Sequence, residues 1–377
     1  MSVKRVTTQS LPSRLGKSLS GILGGIALFI LSVVLLWWNE ERAVDTAMDL
    51  AEGESAVIPL EQIHRIDPAT KGALIHLTGM AESSDTLRDG AFGIEIPALK
   101  LRRTVEMLQW RELTESKTRT KLGGGTETET TFSYEKIWAD TLIDSSRFEV
   151  TEGHRNPTVK PLESLDIEAD EIHLGAYRLG PGLVAKLGKF EELPPPESLP
   201  EGHVAQGNVI FRSADPNAPQ IGDLRITLKA AMPAEISVIA RNNNGLLDGY
   251  RANKGSAIQL LQYGNVDASG MFQSAKSANK ALTFGLRILG IILMFIGANS
   301  VMGPIGVLAD VIPPLGRITR VGTSLISAII TLPVALVTIA LAWLSHRPVL
   351  AVGLMILGGA LAFAILYFAR KGKVAVA

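Results

Sequence analysis

Apolar positions in this chain are concentrated in four blocks and fall into alternation elsewhere. The first block, Gly21–Trp38, runs 18 residues without a charge, long enough to cross a bilayer. Leu282–Met302, Val321–Leu344 and Val349–Ala369 predict three further crossings, with a kink at Pro333 in the third. Pro304, Pro313 and Pro314 break the apolar stretch 303–320, which predicts a short interfacial helix with Leu308, Val311 and Ile312 towards lipid. Beyond Trp38, the spacing of Val44, Ala47, Met48 and Ala51 predicts that the first helix continues as an amphipathic stem packed on its own domain and stopping at Gly53.

The polar stretch 39–281 reads as one large domain. Lys71–Gly79 and Phe92–Leu113 alternate apolar and polar residues as strands do. Lys117–Asp140 predicts a β-hairpin with a mobile tip at Gly123-Gly124-Gly125, and these glycines lack the Lys-Ser/Thr of a phosphate loop. One short helix is expected before Pro194–Pro196, then three strands in 207–245 turning at Asn242–Gly245, then a helix over Gly255–Lys280. The fold class predicted is α+β: a polytopic membrane protein with four transmembrane helices and a mainly antiparallel, β-rich extracytoplasmic domain between the first two. Its segments are a tail at 1–20, helix 21–38, domain 39–281, helix 282–302, loop 303–320, helices 321–344 and 349–369, and a tail at 370–377.

Charge sets the orientation. Segment 39–281 carries 26 basic and 36 acidic residues, net −10, which disfavours nucleic acid as a partner. The flanks hold one acid, Asp310, among 11 basic residues. Lys4, Arg5, Arg14, Lys17, Arg317, Arg320 and the basic C-terminus share one side, opposed only by Arg347. The positive-inside rule therefore predicts both termini in the cytoplasm and 39–281 outside it. Trp37-Trp38 suits an interfacial aromatic belt and a retained signal anchor rather than a cleaved peptide. The exported stretch has no usable Asn-x-Ser/Thr site, since Pro157 blocks Asn156-Pro157-Thr158. That leans towards a bacterial inner membrane with a periplasmic domain; a eukaryotic chain would sit in the endoplasmic reticulum or inner nuclear membrane.

No cysteine is present, which excludes thiol nucleophiles, thiolate metal sites and disulfides. The six histidines show no metal-ligand spacing and no Gly-x-Ser-x-Gly elbow exists, so neither cofactor nor catalytic residue is expected. Glu168, Glu171 and His173 read as a solvated strand edge. Arg102, Thr104 and Glu106 on one strand face, with Arg103, Val105 and Met107 on the other, read as cross-strand ion pairing. Arg287, well inside a crossing, reads as an arginine that snorkels to the interface.

Several stretches resemble the transmembrane protein 43 (LUMA) family: the run from Trp37 through Asn39, Glu40 and Arg42 to Gly53; Pro97–Trp110 with Arg102, Arg103, Glu106 and Trp110; Gly153–Pro157 with His154 and Asn156; Gly222–Leu228; Ser237–Arg241; and Gly285-Leu286-Arg287. Glu41 replaces the family's glycine and Phe284 its tryptophan. The resemblance implies four crossings, a large lumenal domain and no catalytic residues. It also implies a membrane organiser that self-associates and contacts other membrane or extracytoplasmic proteins. Two other roles are weighed beside that one: an ion channel or channel accessory subunit, set against crossings that hold almost no polar lining beyond Arg287, and a membrane-tethered enzyme or lipid-handling factor. Gly21 and Gly25, and Gly358-Gly359, suit close helix contacts in a homo-oligomer.

Overall fold

The computed structural model describes residues 3–344, 349, 351–353, 355–360 and 363. Among the described residues, three helices are long and apolar enough to cross a membrane: α1 (Leu11–Ala56), α2 (Ala268–Ala309) and α3 (Pro313–Trp343). Ala351–Ala360 is a shorter apolar helix; the rest of the fourth expected crossing and the basic tail lie largely outside the described residues.

Two large sheets are built chiefly from thirteen strands: β1 (Val3–Gln9), β2 (Leu74–Glu82), β3 (Lys100–Thr120), β4 (Thr126–Ala139), β5 (Leu165–Glu168), β6 (His173–Leu174), β7 (Tyr177–Leu179), β8 (His203–Gln206), β9 (Val209–Arg212), β10 (Leu224–Ala231), β11 (Ala234–Asn243), β12 (Leu246–Asp248) and β13 (Leu260–Tyr263). One sheet has the order β1-β4-β3-β10-β9-β8, with β5 also on β3. The other links β11-β12-β7-β6-β2 and returns from β2 to β11, a closed ring of five strands with β13 added on β11. Among the described pairings, β7–β12 and Ile58-Pro59 with β2 are parallel and the others antiparallel, as at β3–β10 and β2–β11. The ring is lined by alternating residues of its strands, among them Leu77, Leu174, Tyr177, Val238 and Leu247, all fully buried.

The chain divides into two compact units. A β unit holds Asp49–Glu115 and Thr131–Ala275; a helical unit holds Arg5–Met48, Ser116–Thr130 and the chain from Lys276 onwards. In the β unit, Leu50 from the end of α1 packs with Leu74, Ile239, Ile258, Met271 and Phe272. A Cβ on Gly53 would come within 2.6 Å of Ile258 and 3.2 Å of Phe272, so this glycine admits close packing and does not end the helix, which continues to Ala56. The expected stem stripe is wrong in phase: Ala47, Met48 and Ala51 are exposed, while Asp49, Leu50 and Gly53 are buried.

Other expectations also change. The stretch expected to be helical over Gly255–Lys280 begins as strands, including β13, and turns helical only at Ala268. The interfacial helix over 303–320 is absent; α2 runs through Pro304 to Ala309 and α3 begins at Pro313, leaving a tight corner. The N-terminal tail is a strand, β1, followed by α1 ten residues before the charge-free run. The turn at Asn242–Gly245 is as expected, with Asn244 and Gly245 at positive φ.

The hairpin β3–β4 also forms, but its tip is held. Gly123 N–H donates to the Val311 carbonyl (3.1 Å), and Arg14 donates to the Gly124 carbonyl. A Cβ on Gly124, at φ +77°, would lie 2.7 Å from Leu11. The tip therefore stands at the N-terminal end of α1, so the placing of all of 39–281 at the opposite end of that helix does not extend to it.

Candidate functional site

Within the helical unit, α1 and α2 approach closely where side chains are smallest. A Cβ on Gly25 would come 2.8 Å from the Gly297 carbonyl, and one on Gly297 as close to Gly25; Gly21 has no such neighbour. Leu36 fills the space over Gly290 and packs with Met294 and Ala335. This apolar seam ends in two polar clusters.

The first cluster follows Trp38. Asn39, Arg42 and Ala43 share one face of α1, and Asn279, Thr283 and Arg287, four residues apart, share one face of α2. Asn39 donates to the Thr283 carbonyl (3.1 Å), Arg42 to Asn279 Oδ1 (3.0 Å) and Thr283 Oγ1 (3.1 Å), and Asn279 to the Ala43 carbonyl (2.9 Å). Glu40, one residue on from Asn39 and so turned about 100° around the helix, meets Arg287. Arg287 Nε and Nη2 donate to the two Glu40 oxygens at 2.5 and 2.6 Å, and Trp343 Nε1 adds a third bond at 2.7 Å. The guanidinium lies 5.3 Å from the Trp343 ring centre. Glu40 is buried, so the bidentate pair replaces its lost hydration. Arg287 thus does not simply snorkel; it is tied to a carboxylate on another helix.

The second cluster lies at the other end of the seam. Asp310, fully buried, accepts from Arg14 Nη2 (2.6 Å) and Arg320 Nη1 (2.8 Å). Between the clusters, Thr323, Ser327, Thr331 and Thr338 of α3 are buried, one or two helical turns apart, which corrects the expectation of crossings almost free of polar lining. Ser327 and Thr338 donate to carbonyls four residues back, whereas Thr331 Oγ1 has no partner among the described residues.

In the β unit, the remaining candidates are also spent on structure. Arg225 pairs with Glu106 (2.8 Å) and Arg102 with Asp166 (2.6 Å), each directly opposite its partner in register. Arg103 is paired with buried Asp89. Arg241 and Asp248 face each other on β11 and β12 through two 2.8 Å bonds, which hold the Asp248 carboxyl below its ordinary pKa and raise that of Arg241. Glu171 accepts from Arg178 (2.8 Å) on an exposed edge with His173 beside it.

The Gly153–Pro157 stretch is a clamp on β3. Asn156 Oδ1 accepts from Trp110 N–H (2.7 Å), and its amide donates to the Trp110 carbonyl (2.9 Å) and the Ile143 carbonyl (3.2 Å). His154 stacks on Tyr134 (3.8 Å) and meets Trp110 edge-on (4.9 Å). Burial and a bond to Glu112 push the Tyr134 hydroxyl above its ordinary pKa. A cavity of about 550 Å³ beside this clamp is lined by Ile143, Ser145, Thr151, Arg155 and Thr158. No group of three His, Asp or Glu side chains among the described residues is placed to hold a metal ion.

Of the candidate residues, Asn39, Glu40, Arg42 and Arg287 come together in one cluster; Trp110, His154 and Asn156 form another; Arg102, Arg103, Glu106 and Arg241 sit in separate ion pairs. The partners Asn279, Thr283, Trp343, Arg14 and Arg320 carry no motif that marks them. Asp310, the one acid in the apolar flanks, was the signal for the second cluster.

Residues 107–348 match the model of the family described as Transmembrane protein 43. Similar proteins include Transmembrane protein 43 of Homo sapiens, 34% identical over 95% of this chain and 92% of the relative, and that of Mus musculus, 32% identical over 91% and 90%. The Transmembrane protein 43 homolog of Drosophila melanogaster is 28% identical over 89% and 91%. No solved structure matches the chain.

Proposed function

Because the chain belongs to the transmembrane protein 43 family, an integral membrane family, we propose that it is a non-enzymatic scaffold that associates with copies of itself or, through its β unit, with other membrane or extracytoplasmic proteins. The observation that carries this reading is the use of the polar candidates: each is bonded to other side chains or backbone of this chain, and none is left aimed at a substrate. The relatives carry no enzyme name.

Self-association draws on a second feature. The polar ribbon Ser116–Thr130 belongs to the same compact unit as three apolar helices. Polar strands beside lipid-facing helices need protein or water around them, and neighbouring copies would provide that cover. The charge asymmetry of the flanks supports cytoplasmic termini with the β unit outside the cytoplasm. The test is the mass of the detergent-solubilised protein by light scattering, with bound detergent subtracted. A defined multimer is expected; a clean monomer at membrane-like concentration would end the self-association reading.

The buried hydroxyl file on α3, with an ion-paired cluster at each end, favours a second reading as a channel or channel subunit. Under that reading, Arg287→Leu changes ion flux through reconstituted vesicles; unchanged flux leaves Arg287 a structural tie.

A further inference from the structure

Two adjoining hollows lie among α1, α2 and α3 near the N-terminal end of α1. One, of about 200 Å³, is polar and lined by Ser18, Asn299, Arg320, Thr323 and Ser324 together with Met302. The next, of about 230 Å³, is apolar and lined by Ile26, Phe29, Ile30, Val301, Ile330 and the same Met302. Along α1, Ser18 and Phe29 are eleven residues apart, or roughly 16 Å at 1.5 Å per residue. Ser18 precedes the charge-free run and Arg320 precedes the third apolar block, which puts the polar hollow at headgroup depth and the apolar one at acyl-chain depth.

The polar hollow has donors to spare. Ser324 donates to Asn299 Oδ1 (3.2 Å), so the Asn299 amide nitrogen is turned to other partners. Arg320 donates one N–H to Asp310 and is half exposed, with further N–H groups open to a guest. Arg14 and Arg320 share the single carboxylate of Asp310, so the corner carries excess positive charge, and Lys17 adds to it. Glycines hold the wall back: a Cβ on Gly303 would lie 2.9 Å from Ser18 Oγ, and one on Gly306 3.0 Å from the Arg320 side chain.

We propose that these hollows form a single binding site for an anionic phospholipid, its phosphate held by Arg320, Ser18 and Asn299 and one acyl chain lying over Phe29, Ile30 and Val301. A guanidinium with flanking donors matches phosphate geometry, and basic pockets between membrane helices select anionic headgroups. The site stands independently of the scaffold reading.

The test is native mass spectrometry of the full chain in detergent, titrated separately with phosphatidylglycerol, phosphatidylcholine and inorganic phosphate. One phosphatidylglycerol per chain is expected, bound at least about tenfold more tightly than phosphatidylcholine, with free phosphate neither retained nor competing at millimolar concentration. Arg320→Gln should weaken phosphatidylglycerol binding about tenfold or more, the loss of one charge-assisted contact, and Ser324→Leu should weaken it as much by filling the polar hollow that Ser324 lines. Ser324→Leu leaves the Asp310 pairs intact and decides the matter if Arg320→Gln fails to fold. Equal affinity for the two lipids, or variants that bind as the parent does, would overturn the proposal. Competition by free phosphate would reassign the polar hollow to a soluble anion.

Discussion

Glu40 and Arg287 are 247 positions apart in the chain, yet two hydrogen bonds of 2.5 and 2.6 Å join their side chains across α1 and α2. Glu40 is 1% exposed, so its charge is carried almost wholly by Arg287 and the Trp343 N–H. Removing Arg287 leaves Glu40 buried and unpaired, which costs about 3–5 kcal/mol in comparable buried pairs; removing Glu40 strands a guanidinium that is only partly exposed.

Glu40→Ala and Arg287→Ala should therefore each lower the thermal midpoint in detergent by several degrees. The double variant should lose less than the sum, since neither charge then remains unpaired. Additive losses would show that the two residues act separately.

The Arg241–Asp248 pair predicts acid sensitivity in the β unit. Asp248 has a lowered pKa when folded, first through its hydrogen bond to Arg241, so its contribution is complete above the unfolded value of about 3.9. It is lost as pH falls through the folded pKa below that. Both side chains are partly exposed, so the contribution is about 0.5–1 kcal/mol. Asp248→Asn should remove it at pH 7 and flatten the stability profile below pH 4; a parallel shift at every pH would exclude the linkage.

Asn156 makes three hydrogen bonds that tie Trp110 and Ile143 together. Asn156→Ala should cost about 2–4 kcal/mol, read from denaturant unfolding. His154→Ala, which loses ring contacts with Tyr134 and Trp110, should cost about 1–2 kcal/mol. A larger effect for His154 than for Asn156 would reverse the roles assigned here.

The absence of cysteine makes the hairpin tip open to site-directed labelling. Leu122 is 86% exposed beside the tip, which is bonded to Arg14 and Val311. In sealed vesicles, Leu122→Cys should react with an impermeant maleimide from the same face as Thr7→Cys and the opposite face from Met48→Cys. Labelling with Met48 would show that the tip leaves the N-terminal end of α1 in the membrane.

Composition and periodicity alone determined that the chain is a membrane protein, where its three longest apolar helices lie, and that a strand-rich acidic region separates the first from the second. Hairpin β3–β4, strands β9 to β11 and the turn at Gly245 were legible because alternation and turn glycines are local signals. Local signals also misled where tertiary contact decided. Gly53 looked like a helix stop and is a packing notch; Leu260–Tyr263 lay in a stretch expected to be helical and pairs with β11; Pro304 lies inside α2 and Pro313 opens α3, with a corner between them and not a separate helix. The closed ring, the tip against Leu11 and the Glu40–Arg287 and Arg14–Asp310 pairs join residues scores to hundreds of positions apart. No local propensity encodes such meetings, because a carboxylate carries no mark of the guanidinium that will neutralise it. Only the packing of the helices and sheets selects the partner, and with it the difference between a costly buried charge and a satisfied one.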